Sequence, residues 1–313
     1  MSTIGVDIGG TKIAAGVVDD DGAVLARTRR DTPATDPEAI EDAVADAVAE
    51  LRAEHDVTAV GVAAAGYVDA TRSVVVFAPN LSWRHEPLRE EVEKRVGLPV
   101  VVENDANAAA WGEFTHGGGK GSRDMVLLTV GTGLGGGIVL DGELVRGTGG
   151  MAAEVGHLRV VPDGHQCGCG RTGCWEQYGS GSALVRWARA LARTEPVAAA
   201  RLLELSGGDP DAVMGVHVTQ AAEEGDVAAV RLVATLGRWL GEGAASLAAV
   251  LDPGLVLVGG GVSEAGDLLL QPMRDAFAGA LTAAMHRDLA RIDAAVLGND
   301  AGMVGVAALA ARP

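Results

Sequence analysis

Short apolar runs that end in glycine clusters recur along this chain and organise it. Residues 4–7 read as a buried strand entering Gly9-Gly10-Thr11-Lys12; a second strand continues to Val18 and turns at Asp21-Gly22. Residues 126–130 repeat the plan, with a glycine turn over 131–137, a return strand over 138–140 and a hairpin at Asp141-Gly142. The spacing from glycine turn to Asp-Gly is nearly the same in both, which predicts two related α/β halves. A third apolar strand, 255–258, ends in Gly259-Gly260-Gly261, with Ser263-Glu264 leading toward a helix. Between the two repeats, a strand ending at Val102 passes through Glu103-Asn104-Asp105 into an alanine-rich helix. Residues 182–251 carry alanine and leucine at helical spacing, which predicts helices with Trp187 and Trp239 in their core.

Glycine lets the main chain approach closely and presents unhindered N–H donors, so two such turns suit a chain of phosphates. The candidates are Gly9, Gly10, Thr11 and Lys12 in the first turn and Gly131, Thr132 and Gly133 in the second. A nucleobase or ribose suits the third turn, at Gly259 and Gly260. Hairpins follow the first two turns, so neither matches a P-loop or a Rossmann fingerprint, and plain tight turns are the competing reading. Asp7, just ahead of the first loop, can hold the hydrated Mg²⁺ that accompanies ATP; a turn-forming aspartate is the alternative. Asp105 stands where an N-cap is usual, and a carboxylate at a helix N-terminus stays ionised and available as a base. Asn104 aims an amide at the same ligand. Asn80, beside the proline of residues 78–83, adds another suited to hydroxyls.

Composition narrows the class. A chain of 313 residues with 48% hydrophobic content can bury one large core or two. A net charge of −17 argues against a nucleic-acid partner, which needs clustered Lys and Arg. The opening MSTIGVDIGG has no charged leader followed by an apolar stretch, and no segment approaches a membrane span, so a cytoplasmic protein without a membrane partner is expected. Lys12, Lys94 and Lys120 are the only lysines, which makes the one after the glycine loop worth noting.

All three cysteines, Cys167, Cys169 and Cys174, fall in CGCGRTGC. Their odd number and clustering oppose a disulfide and fit a reducing compartment. Three thiolates and an imidazole make a Cys3His zinc set, with His157 of EVGH as the fourth ligand. His165 competes, but a position two residues before Cys167 closes a strained small chelate ring. Such a set leaves zinc no open position, so its part is structural.

DIGGTK, ENDANAA, GTGLGGGIV, EVGH and CGCGRTGCWEQ, in this order, resemble the ROK family of sugar kinases and sugar-responsive repressors over essentially the whole chain. Within it, the motifs are most similar to those of bacterial ATP-dependent glucokinases. The resemblance implies the two-lobed actin-like, ribonuclease-H-like α/β ATPase fold with a cleft between lobes. Residues 1–110 plus 300–313 would form the small domain and 111–299 the large one with the zinc knuckle. A C-terminal helix is expected near 303–311, entered through residues 299–302. Asp105 would be the base for the sugar hydroxyl; Asn104, Glu154, His157 and Glu176 would hold other hydroxyls, with Asn80 and Gly66 bordering the sugar. His157 would give one ring nitrogen to zinc and turn the other side to the sugar. The implied cofactors are ATP, Mg²⁺ and structural Zn²⁺, and the implied assembly is a homo-oligomer, dimer or tetramer. Kinases for N-acetylmannosamine, N-acetylglucosamine, fructose or allose share most of these motifs, and polyphosphate or ADP as donor would leave the glycine turns much the same. The family's repressors place a helix-turn-helix before the first glycine strand; only three residues precede it here, so an enzyme is expected rather than a sensor.

Overall fold

The computed structural model describes residues 2–312. In chain order the N-terminal part runs β1 (Ser2–Ile8), β2 (Lys12–Val18), β3 (Val24–Asp31), α1 (Pro37–Arg52), β4 (Val57–Ala64), β5 (Tyr67–Val68), β6 (Val75–Phe77), β7 (Arg84–Glu86), α2 (Leu88–Val96), β8 (Val100–Asn104) and α3 (Asp105–His116). The rest runs β9 (Met125–Val130), β10 (Leu134–Leu140), β11 (Glu143–Leu144), α4 (Gly181–Thr194), α5 (Ala200–Leu205), α6 (Gly215–Glu223), α7 (Val227–Leu251), β12 (Leu255–Gly259), α8 (Asp267–Ala280), β13 (Arg291–Ala294) and α9 (Ala301–Ala310).

Two five-stranded sheets follow one plan, β3-β2-β1-β4-β8 and β11-β10-β9-β12-β13, as the repeated glycine hairpins predict. In the first, β1 pairs antiparallel with β2 and parallel with β4, which pairs parallel with β8. β1 and β4 are largely buried Val, Ile, Ala and Gly, the composition of strands covered on both faces, whereas edge strand β3 alternates half-buried and exposed positions. Asp36 caps α1 by accepting from the Ala39 amide, Pro37 presets its first turn, and Ile40, Val44, Ala47, Val48 and Leu51 form its buried stripe. The C-terminal helix is present as α9, apolar on all sides and packed on β1, β4 and α3. Glycine makes that approach possible: a Cβ at Gly61 would lie 2.1 Å from the Val306 carbonyl oxygen, and one at Gly305 1.7 Å from that of Ala108.

Two expectations change. The turn after β9 covers only 131–133; Gly135, Gly136 and Gly137 already belong to β10. A Cβ at Gly137 would meet that of Ala110 at 2.4 Å, so glycine is there for packing against α3 rather than for turning. Trp187 and Trp239 are half-buried, and the buried tryptophans are Trp83, Trp111 and Trp175. Trp239 stacks on Tyr178 with ring centroids 4.7 Å apart, while its carbonyl accepts from Trp175 Nε1 at 2.9 Å.

The chain forms two compact units, one of residues 1–127, 137–153 and 296–313, the other of 128–136 and 154–295. This differs from a division at residues 110 and 300. A boundary at 110 would cut α3, which packs along its length on α9 within the first unit. Among the described residues no helix is long and apolar enough to cross a membrane.

Candidate active site

In the first unit the β8–α3 junction presents Asn104 and Asp105. Both are good capping residues, and the cap is Asn104, whose side-chain oxygen accepts from the Asn107 amide at 3.0 Å. Asp105 is therefore released from the capping role expected of it. Its Oδ1 accepts from the Ala106 amide at 2.9 Å and from Asn104 Nδ2 at 3.1 Å, and Oδ2 takes neither bond. Asn104 Nδ2 also donates to the Gly66 carbonyl at 3.1 Å, which brings Gly66 to the same place. Burial pushes the Asp105 carboxyl above its ordinary 3.8, against the opposing pull of the Ala106 amide, its own amide and Asn104. Loss of solvent thus outweighs the helix N-terminus, contrary to a simple expectation of an easily ionised group.

Asp7, on β1, is pushed up to about 7 by burial and then by the charge of Asp105. Two carboxylates in mutual repulsion are a setting that a divalent cation relieves, and oxygen donors suit Mg²⁺. The loop after β1 is closed by the Gly9 amide on the Lys12 carbonyl at 2.9 Å and by Thr32 Oγ1 on the Gly9 carbonyl at 2.8 Å. The Gly9 N–H is thus used within the turn, while Thr11 and Lys12 are exposed. Exposed Asn80 lies beside Gly10, whose built Cβ would be 3.3 Å from that of Asn80. Arg84 shapes this stretch by donating to the Ala78 carbonyl at 2.9 Å while stacking over Phe77. Neither Thr32 nor Arg84 carries a local motif that marks it.

In the second unit His157, Cys167, Cys169 and Cys174 bring one ligand atom each within 4.8 Å of one another. Cys167 Sγ stands 3.7 Å from His157 Nδ1, and Cys169 Sγ stands 3.6 Å from Cys174 Sγ. Zinc–sulfur bonds of about 2.3 Å at tetrahedral angles require ligand separations of roughly 3.8 Å, so the donor set fits zinc. His165 is engaged elsewhere: its ring stacks on Tyr178, whose hydroxyl accepts from its amide at 2.9 Å. With Nδ1 toward the thiols, His157 turns Nε2 to Glu154 Oε2 at 4.0 Å. Glu176, in the short helical turn Trp175–Gln177, receives the Cys167 thiol at 2.9 Å; burial first and this carboxylate second push that thiol up. Its other oxygen abuts Gly133, at 2.9 Å from a Cβ built there.

The turn at Gly131 and Thr132 is docked by the start of α4, with the Gly181 amide on the Gly131 carbonyl at 2.8 Å and the Ser182 amide on that of Thr132 at 3.3 Å. Both turn residues line a cavity of about 1000 Å³ with Gly181, Arg186, Gly261 and Val262. Gly259 is buried at the end of β12, and a Cβ at Gly260 would strike the Val130 carbonyl at 2.5 Å; the residues one step further on line the cavity. Arg186, in the middle of α4, carries no local sequence signal of its place in the cavity wall.

Residues 3–312 match the ROK family. The chain is 56% identical to a glucokinase of Streptomyces coelicolor over 99% of its own length and 98% of that protein. It is 37% identical to an N-acetylmannosamine kinase of Escherichia coli, covering 99% of this chain and 98% of that one. A crystal structure of a ROK family glucokinase from Streptomyces griseus, in complex with glucose and AMPPNP, superposes with a TM-score of 0.90 at 55% identity, covering 99% of both chains. The actin-like α/β fold implied by the motifs is the fold of these relatives, and the chain belongs to the ROK family.

Proposed function

We propose that the protein transfers the terminal phosphoryl group of MgATP to the 6-hydroxyl of glucose, with Asp105 as general base. The observation that carries this is the division of labour at the β8–α3 junction: Asn104 caps the helix, so the Asp105 carboxylate, fixed through one oxygen, has the other to offer a hydroxyl. The glucokinase relatives at 55–56% identity support glucose as acceptor and ATP as donor.

Phosphoryl transfer asks for alignment and neutralisation of charge more than for covalent chemistry. Asp105 takes the hydroxyl proton as the oxygen attacks phosphorus, a contribution of about 10²–10⁴-fold for a general base. Asn80, Asn104, Glu154, His157 and Glu176 hold the other hydroxyls, with Gly66 at the sugar's border. The cavity beside Gly131 and Thr132 seats the nucleoside end of ATP, and in the loops at Gly9–Lys12 and Gly131–Gly133 the amides after Gly9 and Gly131, whose own N–H groups close the turns, face the phosphates. Asp7 would hold Mg²⁺, which would supply neutralisation of phosphate charge. His157, Cys167, Cys169 and Cys174 would hold zinc, which would fix the His157 ring and supply no chemistry to the transfer. The protein acts in the cytoplasm as a homo-oligomer, dimer or tetramer, which light scattering checks.

The test is phosphorus NMR of protein, MgATP and glucose, in which glucose 6-phosphate and ADP form together. Comparing kcat/KM for glucose with N-acetylmannosamine, N-acetylglucosamine, fructose and allose then tests the acceptor. A preference for N-acetylmannosamine would move the assignment to the second group of relatives, and no turnover with any of them would favour a sugar sensor.

A further inference from the structure

Glu103 carries no part in the chemistry above, yet it is the most completely enclosed carboxylate near the junction, with a side chain 0% exposed. Every bond to it points to one task. Oε1 accepts from the Asn104 amide at 3.0 Å and from Asn107 Nδ2 at 3.4 Å, thereby gripping the chain on both sides of Asp105. Oε2 pairs with Arg72 Nε at 2.9 Å and with Arg146 Nε at 2.8 Å. The arginines are braced in turn. Arg146 donates through Nη1 to the Ala70 carbonyl and through Nη2 to that of Asp69, both at 2.8 Å, while the Arg72 carbonyl accepts from the Val102 amide at 3.2 Å.

We infer that Glu103 is the positioning residue of the catalytic base: it fixes the end of β8 from which Asn104 and Asp105 project. The inference rests on the reading of Asp105 given above. Buried ion pairs contribute little net stability, because desolvation offsets their attraction, and an apolar side chain of equal volume often serves the core as well. An apolar residue here would leave the Asn104 amide and Arg72 Nε without their acceptor and the Arg146 guanidinium without its counter-charge. What the carboxylate adds is a fixed geometry, carried from the 69–72 loop and Arg146 to the two residues that face the substrate. Displacements of about 1 Å at such a point cost on the order of 10²-fold in rate.

A double-mutant cycle with Asp105→Asn tests this, with circular dichroism and melting temperature recorded for each variant. Glu103→Gln alone is expected to lower kcat about 10²-fold with KM for MgATP unchanged. In the Asp105→Asn background the same substitution should change kcat by less than about 2-fold, since residues acting as a unit are not additive. Equal losses in both backgrounds, or a Glu103→Gln enzyme within about 2-fold of the parent, overturn the inference and leave the kinase reading standing. If Glu103→Gln does not fold, Arg72→Gln, which leaves Arg146 on the carboxylate, takes its place in the cycle with the same non-additivity and a smaller loss. A wild-type protein that forms no glucose 6-phosphate overturns the kinase reading and this inference with it.

Discussion

The zinc knuckle and the β8–α3 junction both hold site residues in place, and they do so by opposite means. At the knuckle, three of the four donors lie within eight residues, and His157 is ten residues before the first. At the junction, Glu103 draws on Arg72 and Arg146, 31 and 43 positions away, and on a sheet closed by α9. One arrangement is a local loop that an ion would hold, and the other is the fold itself. A chelator therefore separates them, because it acts on the first and leaves the second intact.

Metal removal should have the largest effect. Elemental analysis is expected to find one zinc per chain, and stripping it should lower the melting temperature, since apparent zinc-binding energies of structural sites are about 10–16 kcal/mol in small fingers and are linked to folding. The affinity for glucose should fall as His157 loses its orientation, and a His157→Ala enzyme with unchanged kcat/KM for glucose would break the link between knuckle and sugar. Next comes the fold-held side. Gly305→Ala puts a Cβ 1.7 Å from the Ala108 carbonyl oxygen, forcing α9 away from the helix that begins at Asp105. Overpacking of this kind costs about 1–3 kcal/mol or more, read in a urea melt, and kcat should fall with it while zinc content stays at one.

A smaller effect should appear with pH. Glu41, paired with Arg95 at 2.9 Å, is raised to about 7, burial being the main cause, and Asp7 is raised to about the same value. The folded protein then binds more protons than the unfolded chain between the ordinary carboxylate range and pH 7. Stability from these groups is fully present below about pH 4 and is lost as pH rises toward 7. Glu41→Gln should flatten that slope, and urea midpoints that fall as steeply in the variant as in the parent would contradict it. Smallest is Gly279→Ala in α8, where a Cβ meets nothing within 4 Å; it should stabilise by roughly 0.5–1 kcal/mol without touching either site.

Much of this was legible in the chain because it is local. Strands ending in glycine turns, the duplicated hairpins, the cysteine cluster and the Asp at a strand–helix junction all declare themselves within a few residues. Tertiary contact decided the rest. Asn104 and Asp105 are equally apt caps, and only the backbone path assigns the role to Asn104. Gly135, Gly136 and Gly137 look like a turn, but helix packing against Gly137 requires a missing Cβ in a strand. The cavity wall at Arg186 and the Glu103 ion pairs join segments distant in sequence, so no spacing could announce them.

The central claim is that Asp105 removes the hydroxyl proton during phosphoryl transfer. Rapid-quench measurement of a single turnover, with MgATP bound and glucose saturating, tests it on Asp105→Asn. The predicted result is a transfer rate lower by about 10²–10⁴-fold with nucleotide affinity unchanged. Transfer at the wild-type rate would contradict it.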